Sequence, residues 1–166
     1  MKEKSSVKKK IIIALCVIGA LVLLVGSFFQ RDVLLRAGLV EYDSKEIISV
    51  KNKYSATLDM IVKESIDKEF TITSKHGGLF QKSEISVDES GKPVYEKLKS
   101  HIDVLCHSYC YSIVAEKGTV TFTFNVSGSK KLTYSETEPV KEKENDVVNN
   151  LKDNWYYIEI GEQEAK

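Results

Sequence analysis

The chain has 166 residues, and its 24 basic and 24 acidic side chains give a formal net charge of zero. The length predicts one ordinary domain beside any terminal segment, large enough to bury a core without disulfides or metals. The balanced charge disfavours nucleic-acid binding, because nucleic-acid-binding proteins carry a basic stripe that this sequence lacks.

A long uncharged run near the N-terminus predicts a membrane anchor. Residues 11–29 are nineteen positions without a charged side chain. As a helix at about 1.5 Å per residue they span about 28 Å, close to the roughly 30 Å hydrocarbon core of a bilayer. Residues 1–10 carry five lysines and one glutamate, and positive flanks stay in the cytoplasm. We therefore expect a single-pass protein of the plasma membrane with a signal-anchor helix, whose partner through residues 11–29 is the lipid bilayer.

Three other interpretations of this segment fit less well. A signal peptide cleaved after Val25-Gly26-Ser27 stays open, but its apolar stretch would be only about 7–15 residues. A lipoprotein cut at Cys16 requires a small preceding residue, where Leu15 stands. A buried core helix would not need apolar residues on every side. The predicted organisation is a cytoplasmic stub (1–10), a transmembrane helix (11–29), a juxtamembrane segment (30–43), an extracytoplasmic domain (44–160) and a polar tail (161–166).

The first half of the external domain predicts a helix, a hairpin and a second helix. Asp43 can cap a helix whose apolar residues recur at helical spacing to Val62, although alternation in the same stretch also allows a strand. Alternating residues on either side of His76-Gly77-Gly78 predict two strands joined by a turn. Pro93 suits the first turn of the second helix. Its apolar stripe continues to about Cys106 and consists of Val94, Leu98, Ile102 and Leu105.

The second half of the domain predicts mainly strands. The clearest is 119–126, where apolar and polar residues alternate as a half-buried strand requires. It follows a predicted strand at 109–115 and precedes a shorter one around 132–134. The charged stretch that contains Pro139 predicts a surface helix to about Leu151, and 155–160 predicts a final strand. The expected fold class is α+β, with helices packed on a mainly antiparallel sheet.

One cluster of potential metal or redox ligands lies at the end of the second predicted helix. His101, Cys106, His107 and Cys110 fall within ten residues. On an extracytoplasmic domain, Cys106 and Cys110 predict either a local disulfide, if the helix ends near Cys106, or two free thiols in the core. Thiolates beside an imidazole also suit copper or zinc. Cys106, His107 and Cys110 are therefore the candidate metal ligands.

The spacing of Cys106 and Cys110 is similar to the CxxxC pair of the Sco-type copper-handling proteins. The resemblance covers five residues and implies a thiol-redox or copper-handling function for the pair. The chain lacks the proline-flanked cysteines and the thioredoxin-like βαβ context of that family.

The rest of the sequence predicts no catalytic residue and no cofactor. It contains neither the G-x-S-x-G of a nucleophile elbow nor a glycine-rich phosphate loop. Acidic residues at 136–146 lack the spacing of a calcium loop, and the lysines among them indicate a solvated surface. Asn125-Val126-Ser127 matches a glycosylation acceptor, which matters only in a host that glycosylates.

Aromatic residues in the last predicted strand are the candidate protein interface. Consecutive aromatics at 155–157 must point to both faces of a sheet. Trp155 and Tyr157 therefore lie either in a sheet covered on both faces or on a partner-binding surface.

The expected function is a non-catalytic, membrane-anchored adaptor or binding module with an unknown protein partner. One alternative is thiol-redox or copper handling by Cys106 and Cys110, and another is inhibition or regulation of a second membrane protein. The order of short basic tail, single helix and compact domain is broadly similar to that of secretion-system scaffolds with cystatin-like or NTF2-like external domains. That similarity is one of architecture, with no shared motif.

Overall fold

A computed structural model describes residues 41–75, 83–141 and 143–161, together with the single residues Val17 and Leu34. The predicted stub at 1–10 lies outside these residues, as does the transmembrane helix at 11–29 apart from Val17. In the described part of the chain, no helix is long and apolar enough to cross a membrane. The anchor therefore stays a prediction.

Two short helices, α1 (Ser44–Lys53) and α2 (Ser55–Ser65), open the domain. Asp43 caps α1 as predicted: its side chain accepts from the Glu46 backbone N–H at 2.8 Å, and the Glu46 carboxylate accepts from the Asp43 N–H at 2.8 Å. The helical interpretation of this stretch is confirmed over the strand. The predicted single helix is nevertheless interrupted at Tyr54, whose backbone angles (φ −112°, ψ 23°) are not helical.

The predicted hairpin and second long helix follow. β1 (Phe70–Lys75) pairs antiparallel with β2 (Glu84–Val87), and the turn predicted at 76–78 lies outside the described residues. α3 (Lys92–Ser108) has Pro93 in its first turn and buries the predicted apolar stripe. It ends at Ser108, slightly beyond the expected end near Cys106.

Five further strands complete the sheet: β3 (Ser112–Glu116), β4 (Thr119–Thr123), β5 (Lys130–Ser135), β6 (Val147–Lys152) and β7 (Trp155–Glu159). The seven strands are ordered β2-β1-β3-β4-β5-β7-β6, and every neighbouring pair is antiparallel. The register places one row of fully buried side chains across five strands, consisting of Ile72, Ile113, Phe122, Leu132 and Tyr157. The helices pack on this face, so the predicted α+β class is confirmed.

The predicted surface helix at 136–151 is wrong. The described residues of this stretch, 136–141 and 143–146, form no regular helix, and β6 takes the place of the helix's C-terminal half. The reason is the turn that follows, in which Asp153 and Asn154 have φ of 52° and 65°. A two-residue connection with positive φ at both positions matches the right-handed twist of a hairpin, and Asp and Asn tolerate that conformation. This turn pairs β6 with β7 in a hairpin. The sparse helical periodicity of the segment is a weaker preference than the pairing of these two strands.

Candidate functional site

The two cysteines lie together where α3 ends and the chain turns into β3. Cys106 is 0% and Cys110 1% exposed, and both are free thiols with their sulfurs 3.8 Å apart. A disulfide needs about 2.05 Å. The hydrogen bond with Cys106, together with burial, raises the pKa of the Cys110 thiol well above its ordinary value. A protonated thiol is a weak nucleophile. The disulfide between them stays a prediction.

The histidines do not complete a metal site with these thiols. His107 is exposed and His101 half-buried, whereas both sulfurs face the core. Among the described residues, no three His, Cys, Asp or Glu side chains come together in a way that could hold a metal ion. The arrangement therefore gives the copper-handling interpretation no support.

Trp155 and Tyr157 lie in the covered sheet, the first of the two positions that the sequence left open, and not on an exposed surface. They are 3% and 1% exposed, because their positions in β7 pair with Tyr134 and Leu132 on the face that the helices cover. The Trp155 ring packs against Phe122 and Tyr134 at centroid distances of 5.9 and 5.6 Å. Burial and a 2.7 Å hydrogen bond donated to Glu159 raise the pKa of Tyr157. A partner cannot reach either ring without disrupting the core.

Edge strand β6 is an accessible feature that sequence reasoning missed. It is the last strand of the sheet, and its residues 147–151 carry no charge. Val147 is 41% exposed, and Asn149 and Asn150 are exposed. Edge strands usually carry charges, proline or bulges that block further pairing. Here that protection is confined to the end of the strand, at Lys152 and the register irregularity between Asn150 and Lys152.

A tyrosine cluster is the second feature that the sequence concealed. The Tyr109 ring lies 6.2 Å from Tyr42 and 5.3 Å from Tyr54 between centroids. The Tyr54 and Tyr109 hydroxyls are 3.2 Å apart, and the Lys53 ammonium lies 5.1 Å from the Tyr54 ring centre. The hydrogen bond with Tyr109 lowers the pKa of Tyr54, whereas burial raises that of Tyr109. Since these residues are far apart in sequence, only folding brings them together.

The cluster lies at the end of the domain where the chain enters it, which we call the entry end. It comprises residues 41–43, 53–54, 109–111 and the β4–β5 turn at 124–129. Lys130 ties the entering chain to this turn: its ammonium lies 3.5 Å from the Glu41 carboxylate and donates to the Tyr42 carbonyl at 3.1 Å. Tyr42 is 7% exposed, and its hydroxyl donates to the Ser108 carbonyl at 2.9 Å. Glu41 and Tyr42 are therefore fixed to the β4–β5 turn and to the end of α3.

The glycosylation acceptor is inaccessible in the folded domain. Asn125 is 2% exposed, and its side-chain nitrogen donates to the hydroxyls of Ser127 and Ser129 at 2.7 Å each. Its oxygen accepts from the Lys130 N–H at 3.0 Å. Asn125 is thus a structural residue that shapes the β4–β5 turn.

A shallow cleft of about 490 Å³ lies beside β1 and β3, at the opposite end of the domain. Its lining includes Glu69, Asp88 and Glu116. Asp88 is already engaged by the N–H groups of Thr71 and Gly91 at 2.6 and 2.7 Å. Among the described residues that line the cleft, no nucleophile is paired with a base.

Comparisons with known proteins leave the function to be argued from these features. No family model, curated protein or solved structure matches the chain.

Proposed function

We propose that the protein is a membrane-anchored, extracytoplasmic adaptor that binds an extended segment of a protein partner along β6. The observation that carries this proposal is the uncharged edge strand. An extended peptide can add to such an edge through main-chain hydrogen bonds, while alternate side-chain positions give specificity. Val147 and Asn149 lie on one face of β6, opposite Glu159 and Tyr157 of β7, and both are exposed. They would therefore lie beside the partner's side chains.

A non-catalytic role is supported by how the reactive side chains are used. The buried thiols face the core, and the cleft carboxylate Asp88 serves as a hydrogen-bond acceptor for the backbone. The hydroxyls of Tyr54 and Tyr109 bond to each other, and that of Tyr42 donates to a backbone carbonyl. An inhibitor or regulator of another membrane protein is a special case of the same proposal. In that case the partner bound along β6 would be the protein that is inhibited.

The test is crosslinking followed by co-purification from intact membranes. A Val147→Lys variant places a charge on the edge strand, which should block strand addition and reduce recovery of the partner several-fold. The matched control is Val140→Lys, since Val140 is 87% exposed and lies outside the strands. Its recovery should equal that of the original chain. Equal recovery of the partner with both variants would show that the partner does not bind along β6.

The anchor is tested separately by alkaline carbonate extraction of the membranes. We expect the full chain to stay in the pellet, because the predicted helix at 11–29 holds it in the bilayer. Release into the supernatant, or recovery of a chain trimmed near Ser27, would contradict the membrane-anchored part of the proposal.

A further inference from the structure

The main-chain hydrogen bonds of β7 determine which residues of β6 face the open edge of the sheet. Just beyond β5 and β7, the Ile160 N–H donates to the Ser129 carbonyl at 2.8 Å. Because the direction of hydrogen bonding alternates along an antiparallel strand, even-numbered residues of β7 bond to β5 and odd-numbered ones bond to β6. Over 147–150, odd-numbered residues of β6 pair with odd-numbered residues of β7. Val148 and Asn150 therefore direct their main-chain N–H and C=O groups to the open edge.

The sequence of β6 is self-complementary in one antiparallel register. Since the outward groups of Val148 and Asn150 must meet outward groups of the added strand, the twofold centre of two such strands lies at residue 148, 149 or 150. A centre at 148 places Val147 opposite Asn149, and a centre at 150 places Asn149 opposite Leu151. A centre at 149 places Asn149 opposite itself and Val147 opposite Leu151. Only this last register matches amide with amide and apolar with apolar side chain.

The side chains of that register lie on the same face of the sheet. Leu151 packs against the core that the helices cover, and Val147 and Asn149 lie on the same side because they pair with Glu159 and Tyr157. Each Asn149 amide has both donors and an acceptor, so two of them side by side can hydrogen-bond to each other. Cross-strand pairs matched in this way stabilise a sheet.

The charges at the two ends of β6 fit the same arrangement. Asp146 precedes the uncharged run 147–151, and the exposed Lys152 follows it. The Asp146 carboxylate is held in place by two backbone N–H groups, and the exposed Lys143 and Glu144 before it are of opposite sign. In an antiparallel pair, the acidic start of one strand lies beside the basic end of the other, whereas like charges would repel.

Resting on the proposed function, we infer that the segment bound along β6 is β6 of a second copy of this chain. The two strands pair antiparallel about Asn149. The Val148 and Asn150 N–H groups of each copy donate to the Asn150 and Val148 carbonyls of the other, so that the sheet continues through both copies. This contact is isologous, as the interface of a twofold dimer must be.

Disulfide crosslinking of the full chain in intact membranes tests the register. In a Cys16→Ala background, Asn149→Cys places a cysteine at the twofold centre, where opposed Cα atoms of a non-hydrogen-bonded pair are about 4.5 Å apart, within the roughly 7 Å that a disulfide can bridge. Val147→Cys is the matched control, exposed on the same face. Its counterpart in the second copy lies about 14 Å away along the strand. The native thiols at 106 and 110 are buried.

With copper–phenanthroline as the oxidant, we expect several-fold more crosslinked dimer from Asn149→Cys than from Val147→Cys. Adding Val148→Pro to Asn149→Cys should reduce the dimer to the level of the control. Proline removes an N–H that points out of the sheet, which an edge strand tolerates, so the circular dichroism spectrum should not change.

Equal crosslinking at positions 149 and 147, or none at either, would overturn the second copy as the partner. The Val147→Lys recovery experiment then decides the proposed function separately. Lost recovery of a different protein in that variant, without crosslinking at 149, would overturn this inference and leave the adaptor proposal standing.

Discussion

Trp155 donates a hydrogen bond from its indole Nε1 to the Asp59 carboxylate at 3.3 Å, which joins β7 to α2 across 96 residues of sequence. The ring itself is 3% exposed, and Asp59 lies at the surface. The apolar surface of the Trp155 ring thus lies in the core, and its only side-chain polar atom, Nε1, lies toward the surface where Asp59 accepts its hydrogen bond. This relationship explains why a residue typical of interfaces serves here to fix a helix on the sheet.

Replacing Trp155 by alanine should therefore destabilise the domain. Loss of a buried aromatic leaves a cavity, so we expect the free energy of unfolding to fall by about 3–5 kcal/mol. Urea unfolding of the full chain in detergent, followed by circular dichroism, measures the change. The control Asp59→Asn removes only the charge of the acceptor and should cost about 1 kcal/mol or less. Unchanged stability with lost partner binding in Trp155→Ala would restore the interface interpretation.

Two buried serines form a matched pair for testing hydrogen-bond satisfaction. Ser65 Oγ is buried with no hydrogen-bond partner in the described part of the chain, whereas Ser74 Oγ donates to the Cys106 carbonyl at 2.7 Å. Ser65→Ala should raise the free energy of unfolding by about 1 kcal/mol, because it removes an unpaired polar group. Ser74→Ala should lower it by a similar amount. Changes of the same sign in both variants would contradict this assignment.

The stability of the domain should fall in acid through Asp88. Burial opposes ionisation of its carboxylate, but hydrogen bonds from the Thr71 and Gly91 N–H groups and the Ser90 hydroxyl outweigh it and hold its pKa below the ordinary 3.8. The native pKa is thus lower than the unfolded one. The contribution of the ionised Asp88 carboxylate to the stability of the fold is fully present above about pH 4. It is lost as the pH falls through the native pKa of Asp88.

Melting temperatures measured from neutral pH down to a pH below the native pKa of Asp88 test the role of this residue. Asp88→Asn should be less stable than the original chain at neutral pH, and the two should converge in acid. Asp67→Asn changes an exposed carboxylate outside this hydrogen-bond set and should follow the original chain throughout. A constant difference between Asp88→Asn and the original chain at every pH would rule out titration of this carboxylate.

If the domain is extracytoplasmic, Cys106 and Cys110 should be found as a disulfide in the mature protein. Their sulfurs are neighbours, and Cys110 follows the end of α3, so the connection to β3 can adjust to close the bond. Mass spectrometry after alkylation in denaturant without reductant should then find neither cysteine modified. Cys110→Ser should add Cys106 as an alkylated site beside Cys16. Full alkylation of both cysteines in the original chain would place them as free core thiols.

Prediction from the sequence was most accurate where the local pattern of residues and the tertiary fold favour the same structure. The Asp43 cap, Pro93 in the first turn of α3 and the alternation in β4 are short-range patterns, and the folded domain keeps all three. The segment that became β6 had a sparse helical stripe, and the outcome was set by the Asp153-Asn154 turn and by pairing with β7. Chain-distant pairing overrides weak local preference, because a strand gains its hydrogen bonds only from a neighbour.

By itself the sequence determined that the chain combines an apolar N-terminal run with an α+β domain, since composition and periodicity act locally along the chain. Only the tertiary structure decided which side chains are reachable. It buried Trp155, Tyr157 and both thiols, and it left β6 as an uncharged edge. It also gathered Tyr42, Tyr54 and Tyr109 at the entry end. The exposure of a side chain depends on the pairing order of the strands and on the sheet face that the helices cover. The spacing of residues along the sequence predicts neither of them.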